Sequence, residues 1–79
     1  MRIPRHLSGQ AVSKVLVNRL EYRVVHKRGS HIVLETNEPA HQRVVIPDHK
    51  VLRVGTLNSI IRAVANHKRV SKDEILALF

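Results

Sequence analysis

The fold is decided by residues 22–36, which read YRVVHKRGSHIVLET. Two runs rich in β-branched residues flank a Gly-Ser pair, and this pattern predicts two antiparallel strands joined by a tight turn. His31 then lies just past the turn, at the start of the second strand. Because side chains alternate across a strand, His31 and Val33 point away from a core that contains Ile32 and Leu34. The stretch therefore predicts a histidine on an open sheet face.

Cations lie close to this histidine in the predicted fold. Lys27 and Arg28 come directly before the turn, and a third strand is predicted from about His41 to Ile46 with Arg43 on its outward face. An imidazole beside several cations suits the binding of a phosphate ester. The hairpin and the third strand together therefore predict a site for a phosphorylated ligand.

Two amphipathic stretches and one short capped segment predict helices. Ser8 is the predicted N-cap of a helix that runs to about Leu20, and Gly55-Thr56 opens a second helix that ends near Asn66-His67. Residues 71–74, which read SKDE, form a capping box that begins a short third helix. The buried faces of the two long helices are predicted from their apolar spacing: Val12, Val15, Leu16 and Leu20 in the first, and Leu57, Ile60, Ile61 and Val64 in the second.

The predicted order of elements is helix, three strands, helix and short helix. One apolar sheet face and the apolar stripes of the helices can bury each other, so we expect the helices to cover one face of a three-stranded antiparallel sheet. Tyr22 and Val24 are assigned to the covered face. The predicted fold class is α+β, in a single domain that spans residues 1–79 and leaves the other sheet face open.

Positive charge dominates the composition. Fourteen Lys and Arg stand against six Asp and Glu, which gives a net charge of +8 at pH 7. Such a surplus on a small domain favours polyanionic partners, and nucleic acid above all. The chain has no cysteine and no apolar run long enough to cross a bilayer. We therefore expect a cytoplasmic protein that has no membrane partner.

An exposed histidine in a basic setting suggests the chemistry of RNA cleavage. Imidazole titrates near neutrality and can move the proton of a 2′-hydroxyl, while nearby cations stabilise the charge that develops at phosphorus. His49, in the loop after the third strand, is a second candidate, either as a proton-transfer residue or as a residue that holds the loop. The histidines lack the spacing of metal ligands, so we expect catalysis without a metal or another cofactor.

Four pieces of the chain, in this order and spacing, resemble one protein family. The pieces are Leu7-Ser8-Gly9, Gly29-Ser30-His31, residues 46–49 (IPDH), and Gly55-Thr56-Leu57 followed by Ile60-Ile61. Together they resemble the HicA (YcfA-like) toxins of bacterial toxin–antitoxin pairs, and the order of elements resembles the double-stranded-RNA-binding fold. The resemblance covers nearly the whole chain.

This resemblance implies an mRNA interferase, which is a toxin that cleaves mRNA and blocks translation until a HicB-like antitoxin covers it. The catalytic histidine of the family corresponds to His31. The residues expected to bind RNA phosphates are Lys27, Arg28, Ser30, Arg43, Lys50 and Arg53. Two alternatives stay open at the level of the sequence: an RNA-binding module without catalysis, and a basic domain that binds an acidic protein.

Overall fold

The computed structural model describes residues 3–79. Its elements are α1 (Gly9–Leu20), β1 (Arg23–Arg28), β2 (His31–Thr36), β3 (Gln42–Pro47), α2 (Val54–Lys68) and α3 (Lys72–Leu76). The strands form one antiparallel sheet in the order β1-β2-β3. The predicted α+β class and the α-β-β-β-α order with a short extra helix are therefore confirmed.

The core lies between the helices and one face of the sheet. Leu16 of α1, Leu34 of β2 and Ile61 of α2 are almost fully buried in one cluster. Ile75 of α3 joins the same cluster, because the capping box formed by Ser71 and Glu74 sets the start of this helix. Within the described part of the chain, no helix is long and apolar enough to cross a membrane.

The element boundaries differ from the predicted ones by a residue or two. Strand β3 covers Gln42–Pro47 rather than the predicted His41–Ile46. Helix α2 begins at Val54, and Arg53 serves as an N-cap residue without a side-chain hydrogen bond. The sequence offers no capping side chain at this point, so its pattern predicts the start of the helix one residue too late.

An irregularity in β1 determines which of its side chains share a face with His31. Arg28 pairs with His31 and His26 pairs with Val33, but the register shifts between residues 24 and 26, so Val24 pairs with Leu34. One extra residue in a strand reverses its alternation. Consequently Arg28 and His26 lie on the open face, whereas Val24 lies on the helix side.

The prediction that Val24 faces the helices is confirmed, but its expected burial is wrong. The side chain remains 48% exposed. It lines a groove between β1 and α1 together with Val17, which is also exposed. Helix α1 therefore covers the centre of the sheet and leaves the β1 edge open.

Gly9 allows the start of α1 to lie directly against the loop that follows β3. The Gly9 N–H donates a hydrogen bond to the His49 carbonyl at 2.9 Å, and the Leu52 N–H donates to the Leu7 carbonyl at 2.7 Å. A Cβ atom at position 9 would lie only 1.9 Å from the Pro47 carbonyl oxygen. Only glycine permits this approach, which holds residues 48–52 in place.

Candidate active site

Two separate segments meet at one end of the sheet, beside the hairpin turn. The Asp48 N–H donates a hydrogen bond to the Ser30 carbonyl at 2.6 Å, which ties the β3–α2 loop to the turn. Gly29 adopts a positive φ of 57° in this turn, a conformation that glycine accepts without strain. The turn and the loop therefore form one fixed surface at this end of the molecule.

His31 occupies the centre of this surface. It is exposed and begins the middle strand, where it pairs with Arg28 on one side and with Pro47 on the other. Its neighbour Ile32 is buried in the core, so the alternation of side chains directs His31 to the open face. The predicted position and exposure of this histidine agree with the structure.

The open face beside His31 combines an apolar floor with polar groups. Val33, two residues along β2, is only 6% exposed although it lies on the face opposite the core cluster. It pairs with His26 on β1 and Val45 on β3, and these neighbours flank it. This face therefore presents imidazole and guanidinium groups above a small aliphatic surface.

The two cations that precede the turn are in different environments. Lys27 pairs with Ile32 on the helix side of the sheet, and its Nζ lies 3.5 Å from the Asp48 carboxylate. Arg28 shares the open face with His31 and forms no ion pair within residues 3–79. Arg28 is thus available to bind a phosphate next to the imidazole, and Lys27 is directed elsewhere.

Arg43 lies on the open face, as predicted, but not beside His31. Its guanidinium binds the Glu35 carboxylate at 2.8 Å, and Arg23 and His41 also lie within 4 Å of that carboxylate. The hydrogen bonds from Arg43 and then from His41 lower the pKa of Glu35 below its usual value. Glu35 lies four positions along β2 from His31, which is a distance of roughly 13 Å. The structure therefore does not bring Arg43 to the imidazole.

The remaining predicted residues lie in the turn and in the β3–α2 loop. Ser30 is exposed in the turn, and its carbonyl anchors Asp48. His49, Lys50 and Arg53 are exposed along the loop. The hydrogen bond from Asp48 to Ser30 ties the start of this loop, and with it the neighbouring His49, to the end of the molecule that carries His31.

His49 is positioned by its backbone and faces a cleft at the start of α1. Ser8, Gln10 and Lys50 line this cleft together with His49. Residues 3–79 contain no cluster of three or more His, Asp or Glu that could hold a metal ion.

His26 is the residue on this face that the sequence interpretation missed. Regular alternation onward from Tyr22 and Val24 assigns His26 to the helix side, because this pattern does not reveal the shift in register. Counting back from the turn instead pairs residue 28 with 31 and residue 26 with 33, as the structure shows. The two-residue turn was therefore the signal that could have identified it.

The fold and this face together define a class of protein: a small, strongly basic α+β domain with a surface suited to polyanions. The family model described as HicA toxin of bacterial toxin–antitoxin matches residues 9–65, which is more than half of the chain. The chain belongs to the HicA toxin family. No curated protein and no solved structure matches it. Membership of a toxin–antitoxin family implies an antitoxin partner.

Proposed function

We propose that this HicA-family toxin is a metal-independent endoribonuclease that cleaves mRNA and inhibits translation in the cytoplasm. The observation that carries the proposal is the exposed His31 at the end of the central strand, directly opposite Arg28 on the open face. A strand supports the imidazole more rigidly than a loop would, and the guanidinium beside it binds phosphate.

The proposed reaction uses the RNA's own 2′-hydroxyl as the nucleophile. His31 takes part in proton transfer as the 2′-oxygen attacks the adjacent phosphorus and the bond to the 5′-oxygen breaks. Arg28 stabilises the negative charge on the phosphoryl oxygens. The products are a 2′,3′-cyclic phosphate and a 5′-hydroxyl, and no step requires a metal ion.

The test is incubation of the purified protein with a mixed RNA pool, with and without EDTA. We expect equal cleavage in both samples, and end-group analysis should find a cyclic phosphate and a 5′-hydroxyl. A matched RNA with a 2′-deoxy sugar at the mapped cleavage position should stay intact, because it lacks the nucleophile. Cleavage of the deoxy substrate, or activity that returns only with a divalent ion, would reject the mechanism. Binding without any cleavage would favour an RNA-binding module.

Replacing Arg28 with alanine should weaken RNA binding more than replacing Arg43. Arg28 is without an ion-pair partner in residues 3–79, whereas Arg43 is already bound to Glu35. Loss of one phosphate contact should reduce the slope of log K against log salt by about 1. Binding titrations at several salt concentrations would measure both variants, and equal slopes for Arg28→Ala and the parent would contradict the assignment.

We further propose that a HicB-like antitoxin silences the toxin by covering the open face. The net charge of +8 favours an acidic cover, which would associate faster at low salt. Hydrogen exchange of the complex should show protection in β2 and the hairpin turn. A co-complex in which His31 stays accessible would contradict direct masking.

A further inference from the structure

We propose that His26 is the second proton-transfer residue and acts together with His31 on opposite sides of the scissile phosphate. This inference rests on the proposed function and concerns the same face of the sheet. Cleavage requires one group to accept the proton of the 2′-hydroxyl and another to give a proton to the departing 5′-oxygen. His31 can carry out only one of these two proton transfers in a given step, so the other transfer needs a second residue.

The strand register places residues 26 and 31 close together on the open face. His31 pairs with Arg28 and His26 pairs with Val33, so His26 and His31 are diagonal neighbours on the same face. Diagonal positions on paired strands lie about 7–8 Å apart, a distance that long side chains can bridge. A phosphodiester bound by Arg28 would fit between the two rings.

The shift in register next to His26 is what gives this residue its position. Val24 and His26 would lie on one face of a regular strand, but Val24 lines the groove on the helix side. The extra residue between them directs His26 to the open face. Bulges commonly re-aim a side chain next to an active site.

Other residues near His31 are less suited to the second transfer. Lys27 lies on the helix side, where it is paired with Asp48. Arg28 cannot exchange a proton at neutral pH because its guanidinium is always charged. His49 lines the cleft at the start of α1 rather than the open face. On the open face between residues 26 and 33, the imidazole side chains are therefore those of His26 and His31.

The proposed step takes up one proton and gives up one proton. One imidazole, neutral at the start, takes the 2′-hydroxyl proton as the bond between the 2′-oxygen and phosphorus forms. The other, an imidazolium at the start, gives its proton to the 5′-oxygen as the bond between phosphorus and that oxygen breaks. The pair ends with its protons exchanged, and no additional reactant is consumed.

The experiment compares His26→Ala, His31→Ala and the parent protein on two RNAs. The first is an oligonucleotide that the parent cleaves, and the second carries sulfur in place of the scissile 5′-oxygen. A thiolate leaves without receiving a proton, so loss of the acid should matter little on the sulfur substrate. We expect both variants to lose 10²–10⁴-fold in kcat/KM on the first RNA. On the second RNA, one of the two variants should reach a kcat/KM within tenfold of that of the parent.

Each other result overturns the pairing of the two histidines. Cleavage by His26→Ala within threefold of the parent would remove His26 from the mechanism. Recovery of activity in His26→Arg would assign it to phosphate binding, because arginine keeps the charge but has no transferable proton. If neither variant, or if both variants, regained cleavage activity on the sulfur-containing RNA, the two histidines could not serve as one acid and one base. Failure of the parent to cleave either RNA would reject the proposed function, and this inference with it.

Discussion

Replacing His31 with alanine is expected to abolish RNA cleavage and toxicity while the fold and RNA binding survive. The side chain is exposed on the open face, so its removal opens no cavity and should change the free energy of unfolding by less than about 0.5 kcal/mol. Phosphate contacts such as that of Arg28 are unchanged, so the affinity for RNA should stay within a few-fold of that of the parent. Loss of proton transfer by a positioned imidazole should lower kcat by 10²–10⁴-fold. Gel assays of cleavage, thermal melts and binding titrations measure the three quantities.

His41→Ala is the matched control for this variant. His41 is also exposed, but it lies against Glu35 at the opposite end of the sheet, with its Nε2 3.4 Å from the carboxylate. This variant should cleave RNA like the parent. If His31→Ala unfolds the domain, His31 has a structural role that its exposure does not reveal. If it folds and still cleaves, proton transfer depends on other residues, and His26 and His49 are the next to replace.

Replacing Gly9 with alanine should strongly destabilise the domain, although alanine normally favours a helix over glycine. The added Cβ would lie 1.9 Å from the Pro47 carbonyl oxygen, and backbone cannot rotate away as a flexible side chain can. The start of α1 and the β3–α2 loop would have to separate, which also lengthens the hydrogen bond from Gly9 to His49. We expect the free energy of unfolding to fall by about 3 kcal/mol, which is the upper part of the range for overpacked sites. For a domain of this size, that loss lowers Tm by roughly 12–24 °C.

Gly55→Ala provides the control for the Gly9 substitution. Gly55 also lies in the first turn of a helix, but a Cβ at this position meets no atom within 4 Å among the described residues. This variant should melt at or above the melting temperature of the parent, and its free energy of unfolding should rise by up to about 1 kcal/mol. Urea titrations of both variants would give the free energies. Equal stability of Gly9→Ala and Gly55→Ala would show that α1 does not rest on the loop as described.

The sequence alone determined the elements, their order and the face of His31. Short-range rules suffice for these features. The Gly-Ser turn between β-branched runs specifies the hairpin, alternation from Ile32 directs the next side chain outward, and Ser71 with Glu74 marks the start of α3. Each of these rules involves residues only a few positions apart, which is why they can be applied without the tertiary structure.

Tertiary structure alone decided that β1 changes register between Val24 and His26 and that Arg43 forms its ion pair away from His31. The register shift in β1 moves Lys27 to the helix side and His26 to the open face, and Arg43 is held by Glu35 rather than by the site. The close approach of Gly9 to Pro47 is likewise invisible in the sequence, because the two residues belong to different elements. Register, ion pairing and backbone contact depend on how distant segments pack against one another, and local periodicity carries no information about that packing.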